Sequence, residues 1–186
     1  MKMRPSRIFR WIVRIFLGLL TLSMTIVSLL GGYSAFMILG DPNNIKIPSG
    51  PISANFNITD PSGMSIIIPF NLTNAGYFDL TNLQINIKID LTFGNLSLGA
   101  TSKVNIFDHT QTFPPIIRGQ TYSGLFNGTG TNFIEENFPN VTTEVDLARV
   151  PVFEFHGNFT ISAYYSLDLL AFAIGINNVT LGEFTP

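Results

Sequence analysis

The chain of 186 residues contains no cysteine. Disulfides, thiol nucleophiles and cysteine-bound metals are therefore excluded, and so is a lipid anchor carried on cysteine. Histidine is almost as scarce, with only His109 and His156. Without cysteine, a zinc site would need both histidines and added carboxylates. They stand far apart in the sequence with no H-x-x-H spacing, so no metal and no cofactor is expected. The chain also lacks a G-x-S-x-G nucleophile elbow, a phosphate loop and a dinucleotide fingerprint. The adjacent acids Glu135 and Glu136 suit a solvated helix start better than an acid–base pair. Asp60-Pro61-Ser62-Gly63 lacks the spaced acids of a calcium loop. These absences together argue against an enzyme.

Charge is missing in one place above all. Between Arg14 and Asp41 no charged residue occurs. Residues 15–40 are almost wholly apolar, centred on Leu17, Leu19, Leu20, Ile26, Val27, Leu29 and Leu30. About 20 such residues cross the hydrocarbon core of a bilayer, so this stretch is expected to be a transmembrane helix. Trp11 and Tyr33 bracket it, as aromatic residues do at membrane interfaces. Lys2, Arg4, Arg7, Arg10 and Arg14 precede it with no acid among them. Residues 1–14 then read as a basic cytoplasmic leader, and residues 41–186 should lie outside the cell membrane. A cleaved secretory signal fits less well, because its apolar stretch is roughly 7–15 residues. A pilin-like filament subunit shares the layout of basic leader, apolar helix and β-rich domain. Its processing site pairs a basic with a small residue, whereas here Ile15 follows Arg14.

The exterior part holds five basic residues, Lys46, Lys88, Lys103, Arg118 and Arg149, against twelve acids, a net charge of −7. Such an acidic exterior has no phosphate-neutralising patch, so nucleic acid is not an expected partner. Seven Asn-x-Ser/Thr acceptors lie there: Asn57, Asn71, Asn95, Asn127, Asn140, Asn158 and Asn178. Composition alone would supply about three, so the excess points to surface glycans. Such use implies an archaeal or eukaryotic cell surface, and the lack of cysteine favours archaea.

Asp41-Pro42-Asn43-Asn44 and Pro48-Ser49-Gly50-Pro51 give residues 41–51 the composition of a short, stiff linker. Beyond it the period is two. Leu83, Ile85, Ile87, Ile89, Leu91 and Phe93 alternate with polar residues, which predicts a half-buried antiparallel strand. Ile66, Ile68, Phe70 and Leu72 repeat the pattern. Pro69 has no amide hydrogen, so a sheet edge or bulge is expected there. From Val152 to Asp168, Phe153, Phe155, Phe159, Ile161, Ala163, Tyr165 and Leu167 share one face, with a bend expected at Gly157. Further strands are predicted at Ala171–Leu181, Phe56–Thr59, Lys103–Phe107 and Tyr122–Phe126. Only Asn132–Val150 could hold a helix, and Pro139 would interrupt it. About seven strands at this spacing predict an all-β domain over residues 52–186, an antiparallel immunoglobulin-like β-sandwich with one short helix.

The run Asn71-Leu72-Thr73-Asn74-Ala75-Gly76-Tyr77-Phe78-Asp79-Leu80-Thr81-Asn82-Leu83 resembles the signature of the late embryogenesis abundant type-two family, also called the water stress and hypersensitive response domain. Pro114-Pro115-Ile116-Ile117 with Gly119-Gln120-Thr121, and Phe153-Glu154-Phe155-His156-Gly157, are similar to later parts of that family's pattern. The resemblance covers residues from about 52 to 182. It implies a seven-stranded sandwich with one short helix and no catalytic motif. Family members are linked with stress protection, membrane-associated roles and binding of apolar ligands. The expectation is a membrane-anchored surface glycoprotein with a non-catalytic role: structural, envelope-protective or partner-binding. Its partners would be the lipid bilayer through residues 15–40, and other surface proteins or a second copy. A module for lipids or apolar ligands is the alternative, with a cavity lined by Phe153, Phe155, Phe159 and Ile161.

Overall fold

A computed structural model describes residues 5–57, 60–165, 168 and 170–184. The N-terminal helix α1 runs unbroken from Pro5 to Gly40. Leu, Ile, Phe and Met supply its helix propensity and leave its surface apolar. Four of its hydroxyls are satisfied within the helix: Thr21, Ser23, Thr25 and Ser34 each donate to the carbonyl four residues back, at 2.7–2.9 Å. Such pairing matters where no water is available. The stretch Ile8–Gly40 is long and apolar enough to cross a membrane, and its most apolar window is entirely unburied.

Eight strands follow, all paired antiparallel. They are β1 (Ile45–Lys46), β2 (Ser53–Asn55), β3 (Ser65–Thr73), β4 (Thr81–Asn95), β5 (Ala100–Phe113), β6 (Thr121–Thr129), β7 (Phe153–Tyr165) and β8 (Leu170–Phe184). One sheet has the order β5-β4-β7-β8. In the other, β6 runs along one edge of β3, while β1 and β2 pair with the two ends of its other edge. The sheets face each other across one core, in which Phe70 meets Phe113 at 4.8 Å, Phe107 meets Phe126 at 6.3 Å and Phe56 stacks on Phe155 at 4.3 Å. Burial alternates along β4 and β7 as the period of two requires.

Pro69 lies where the edge of β3 is broken. Its carbonyl accepts from the Ser49 amide at 2.8 Å. In a strand, N–H and C=O of one residue point to the same neighbour, so the missing amide hydrogen of Pro69 faces the gap between β1 and β2. Ile47 to Ile52 cross that gap with more residues than the stretch opposite needs. The pairing of β7 with β8 shifts register on both sides of Gly157, where a bend was expected.

A bulge in β5 has larger consequences. Ile89 opposes Phe107 and Asp90 opposes Asn105, which leaves Ile106 as the extra residue. Ile106 and Phe107 are therefore buried side by side.

Eight strands stand among the described residues, where about seven were expected. Three expectations need correction. The helix expected within Asn132–Val150 is absent among the described residues. Short 3-10 turns at Gly130–Asn132 and Glu135–Asn137 stand there instead, followed by turns. Pro139 and the Asx turn at Asn140 end any helical run. The strand expected at Phe56–Thr59 lies earlier, at Ser53–Asn55; Ile58 and Thr59 fall outside the described residues, as do Leu167, Lys2 and Arg4. Finally, residues 41–51, expected as a short, stiff linker, are tied into the sheet by β1 and the Ser49 hydrogen bond.

Candidate functional site at the base of the domain

The last turns of α1 are seated in the β domain. Ser34 and Ile38 are fully buried, and Ile38 belongs to the core. The Ser34 hydroxyl accepts from the Tyr77 amide at 2.9 Å while donating to Leu30. Tyr33 and Tyr77 stack with ring centroids 6.0 Å apart. Asn44 then folds back, and its side-chain amide donates to the Met37 carbonyl at 3.1 Å and to the Ile38 carbonyl. Those carbonyls are among the last of the helix and lack intrahelical partners.

Asn74 builds the socket. Its side chain is fully buried and uses every hydrogen-bonding site but one. The Nδ2 group donates to the carbonyls of Phe78 and Ile116, both at 2.9 Å, and Oδ1 accepts from the Gly76 amide at 3.1 Å. Its backbone pairs with the neighbouring loop: Asn74 N donates to the Gln120 carbonyl and Gly119 N donates to the Asn74 carbonyl. One asparagine thus fixes the loop after β3 against the loop before β6. Gly76 then lies directly under the helix. A Cβ there would stand 2.8 Å from Ser34 Cβ and 3.2 Å from the Tyr165 hydroxyl. Tyr165 Oη is buried and has no hydrogen-bond partner among the described residues. Burial pushes its phenol pKa up.

The outer face of the β5-β4-β7 sheet carries a second polar arrangement. Asp90 accepts from Asn105 Nδ2 at 3.1 Å, Asn158 Nδ2 at 3.0 Å and Lys103 Nζ at 3.1 Å. Burial opposes its ionisation, but these hydrogen bonds and the Lys103 charge outweigh it and hold the carboxyl below its usual pKa. Asp108 is lowered too: burial opposes, while hydrogen bonds from Lys88 and Asn86 and nearby positive charge prevail. Depressed carboxyl pKa values stabilise the fold above the unfolded value of about 3.9 and lose that contribution as pH falls through the folded values. Unfolding midpoints should therefore drop on acidification below about pH 4. At neutral pH, Asp90→Ala should cost about 2 kcal/mol, since two amides and an ammonium lose their acceptor. It should also flatten the acid limb. Denaturant titrations from pH 3 to 7 check both, and an unchanged acid limb would discount the cluster.

His156 stands beside Glu154, with Nε2 3.4 Å from Oε2, and Glu154 also lies 3.8 Å from Arg149. A shallow recess lined by Gly94, Asn95, Thr101, Asp146 and Arg149 is nearby. His109 is elsewhere, its Nδ1 3.0 Å from Asn132 Nδ2 and its ring edge-on to Phe126. Among the described residues no three His, Asp or Glu side chains gather in a metal-binding group.

The seven glycan acceptors are spread over the domain. Asn57, Asn127, Asn140 and Asn178 are exposed; Asn71, Asn95 and Asn158 are half-buried. Asn95 Oδ1 accepts from the Ser97 and Leu98 amides. Asn140 Oδ1 accepts from the amide and hydroxyl of Thr142, at 3.0 and 2.7 Å. Asn158 and Asn178 are brought together, with Asn178 N donating to Asn158 Oδ1 at 2.9 Å. Both ends of the Asn158 side-chain amide are thereby engaged. Phe153, Phe155, Phe159 and Ile161, the residues expected to line a ligand cavity, are at most 4% exposed and form part of the packed core.

Sequence reasoning missed the junction, although Asn74-Ala75-Gly76 lies within the run that carries the family resemblance. Ser34 carried a weak signal as a small hydroxyl residue near the end of an apolar run. Nothing local linked it to Gly76, because the contact spans forty-odd residues of chain.

No family model matches the chain, and no curated protein matches it. Among solved structures, the sporulation control protein Spo0M of Bacillus subtilis is similar over 73% of this chain, with 11% identity and a TM-score of 0.33. The chain spans about half of that protein, 48% of its length. A likeness this distant assigns neither fold family nor function.

Proposed function

We propose that the protein is a single-span membrane protein displaying a glycosylated, non-catalytic β domain at the cell surface. Its role there is structural support, protection of the envelope or binding of a partner. One observation carries the reading: an uninterrupted apolar helix follows a leader with five basic residues and no acid. A positive flank favours the cytoplasmic side, which directs residues 41–186 outward. The non-catalytic reading draws on how the polar side chains are used. Asp90 is shared among three donors, and Asn74 is consumed by the loops it holds.

On the same reading, β1 and β2 are two halves of a single edge strand interrupted opposite Pro69. Counted so, the domain has seven strands, in keeping with an immunoglobulin-like sandwich of the late embryogenesis abundant type-two kind. The run Asn71 to Leu83, which carries the resemblance, holds the end of β3, the turn that receives the helix and the start of β4.

Mass spectrometry of the protein from its native membrane, before and after protease treatment of intact cells, tests the proposal. The expected result is an intact leader, external cleavage within residues 41–186, and glycans on exposed acceptors such as Asn140. Asn158 should be bare, since its amide nitrogen is held by Asp90. A bare domain shielded from external protease would overturn the proposal.

A further inference from the structure

We propose that the base of the β domain is itself a lipid-contacting surface, with Tyr77 and Ile117 lying in the headgroup region of the leaflet from which α1 emerges. This rests on α1 being a bilayer span and adds a second membrane contact to it.

The argument begins with length. From Ile15, the first residue after the last leader charge, to Ser34 the helix rises about 30 Å. That equals the thickness of the hydrocarbon core. Ser34 therefore stands at the far boundary of the core, and the groups that grip it stand there too. Tyr77 is held at this level by the hydrogen bond from its amide to the Ser34 hydroxyl and by its stack on Tyr33. The loop before β6 is locked to the same level by Asn74, by the paired backbones of Leu80 and Ile116, and by the Arg118 amide donating to Asp79 at 2.8 Å.

What this end displays suits lipid. Tyr33, Phe36, Tyr77 and Ile117 are 52%, 67%, 44% and 56% exposed. In water such a group is an unexplained apolar patch beside a polar domain. At a membrane interface it is expected, because tyrosine places its ring among the acyl-chain ends and its hydroxyl among the headgroups. Arg118, exposed in the same loop, adds a cation at phosphate level. Tyr77 joins this patch to the exposed apolar surface of α1 through its stack on Tyr33, so the lipid that covers the helix is the occupant already at hand.

Depth-dependent quenching tests this on the full chain in phosphatidylcholine vesicles, with or without brominated acyl chains. The background is Trp11→Phe, which removes the single native tryptophan. Four reporters are compared: Leu20→Trp at mid-helix, Tyr77→Trp and Ile117→Trp at the base, and Leu98→Trp in the far-end turn. Each replaces an exposed side chain, so folding is preserved. The expected result is strong loss of emission at 20, intermediate loss at 77 and 117, and none at 98. Loss at 20 with none at 77 or 117 would overturn the proposal and leave the span standing. No loss at 20 would remove the span itself, and the proposal with it.

Discussion

Asn74→Ala is expected to destabilise the domain by about 3 kcal/mol or more, the largest effect of any single polar substitution considered. The change deletes one side chain but leaves the Phe78 carbonyl and the Gly76 amide without partners, and the Ile116 carbonyl with only its bond from the Leu80 amide. All were joined by a residue with no solvent exposure, so water cannot replace it without opening the loops. Asn74→Asp should be no better. One carboxylate oxygen would then face the Phe78 and Ile116 carbonyls in place of the donor, and the charge would be buried. Thermal or denaturant unfolding followed by the β signal in circular dichroism measures the loss. A cost below about 1 kcal/mol for both variants would mean that the loops hold together without Asn74.

Gly76→Val should separate the helix from the domain while sparing most of the sheet. The nearest atom to the added Cβ is Ser34 Cβ, at 2.8 Å. That atom is fixed directly to the helix backbone and cannot swing aside, so α1 itself must move. Overpacking of this kind costs about 1–3 kcal/mol, here concentrated at one contact. The specific readout is hydrogen exchange at the Tyr77 amide, which Ser34 protects in the native protein. Exchange there should rise to the level of an open loop, while amides in the centres of β4 and β7 stay protected. Gly175→Val serves as the control, because a Cβ at that position meets nothing closer than 3.9 Å. Unchanged protection at Tyr77 would show that the helix end is held by something other than this contact.

Much of the fold was legible because burial follows the strand period. Leu83 to Phe93 and Phe153 to Tyr165 alternate in the sequence and in the structure alike. What defeated the period was the bulge at Ile106. Val104 is half-buried, and both Ile106 and Phe107 are buried, because the extra residue exchanges the faces of β5 midway. No composition rule marks such a position. The apolar helix was legible over residues 15–40, but its buried end was not. Hydropathy reads Ser34, Ala35 and Ile38 as membrane residues, and only the fold shows that they meet protein instead. The acceptor asparagines were visible as a pattern, yet the engagement of Asn158 by Asp90 and Asn178 depends on cross-strand neighbours far apart in the chain.

The seating of α1 also fixes how the domain is presented. β4 leads away from the junction for its full length, about 45 Å, to the turn at Asn95 and Gly99. A domain on a slack tether sweeps a hemisphere and meets other molecules at every angle. On the proposed reading of α1 as a membrane span, the gripped helix removes the swivel, and the outermost turns keep one height and one tilt while the molecule spins and diffuses in the plane of the bilayer. A neighbour in the same membrane then meets a surface already oriented, and less rotational freedom is lost when the two join.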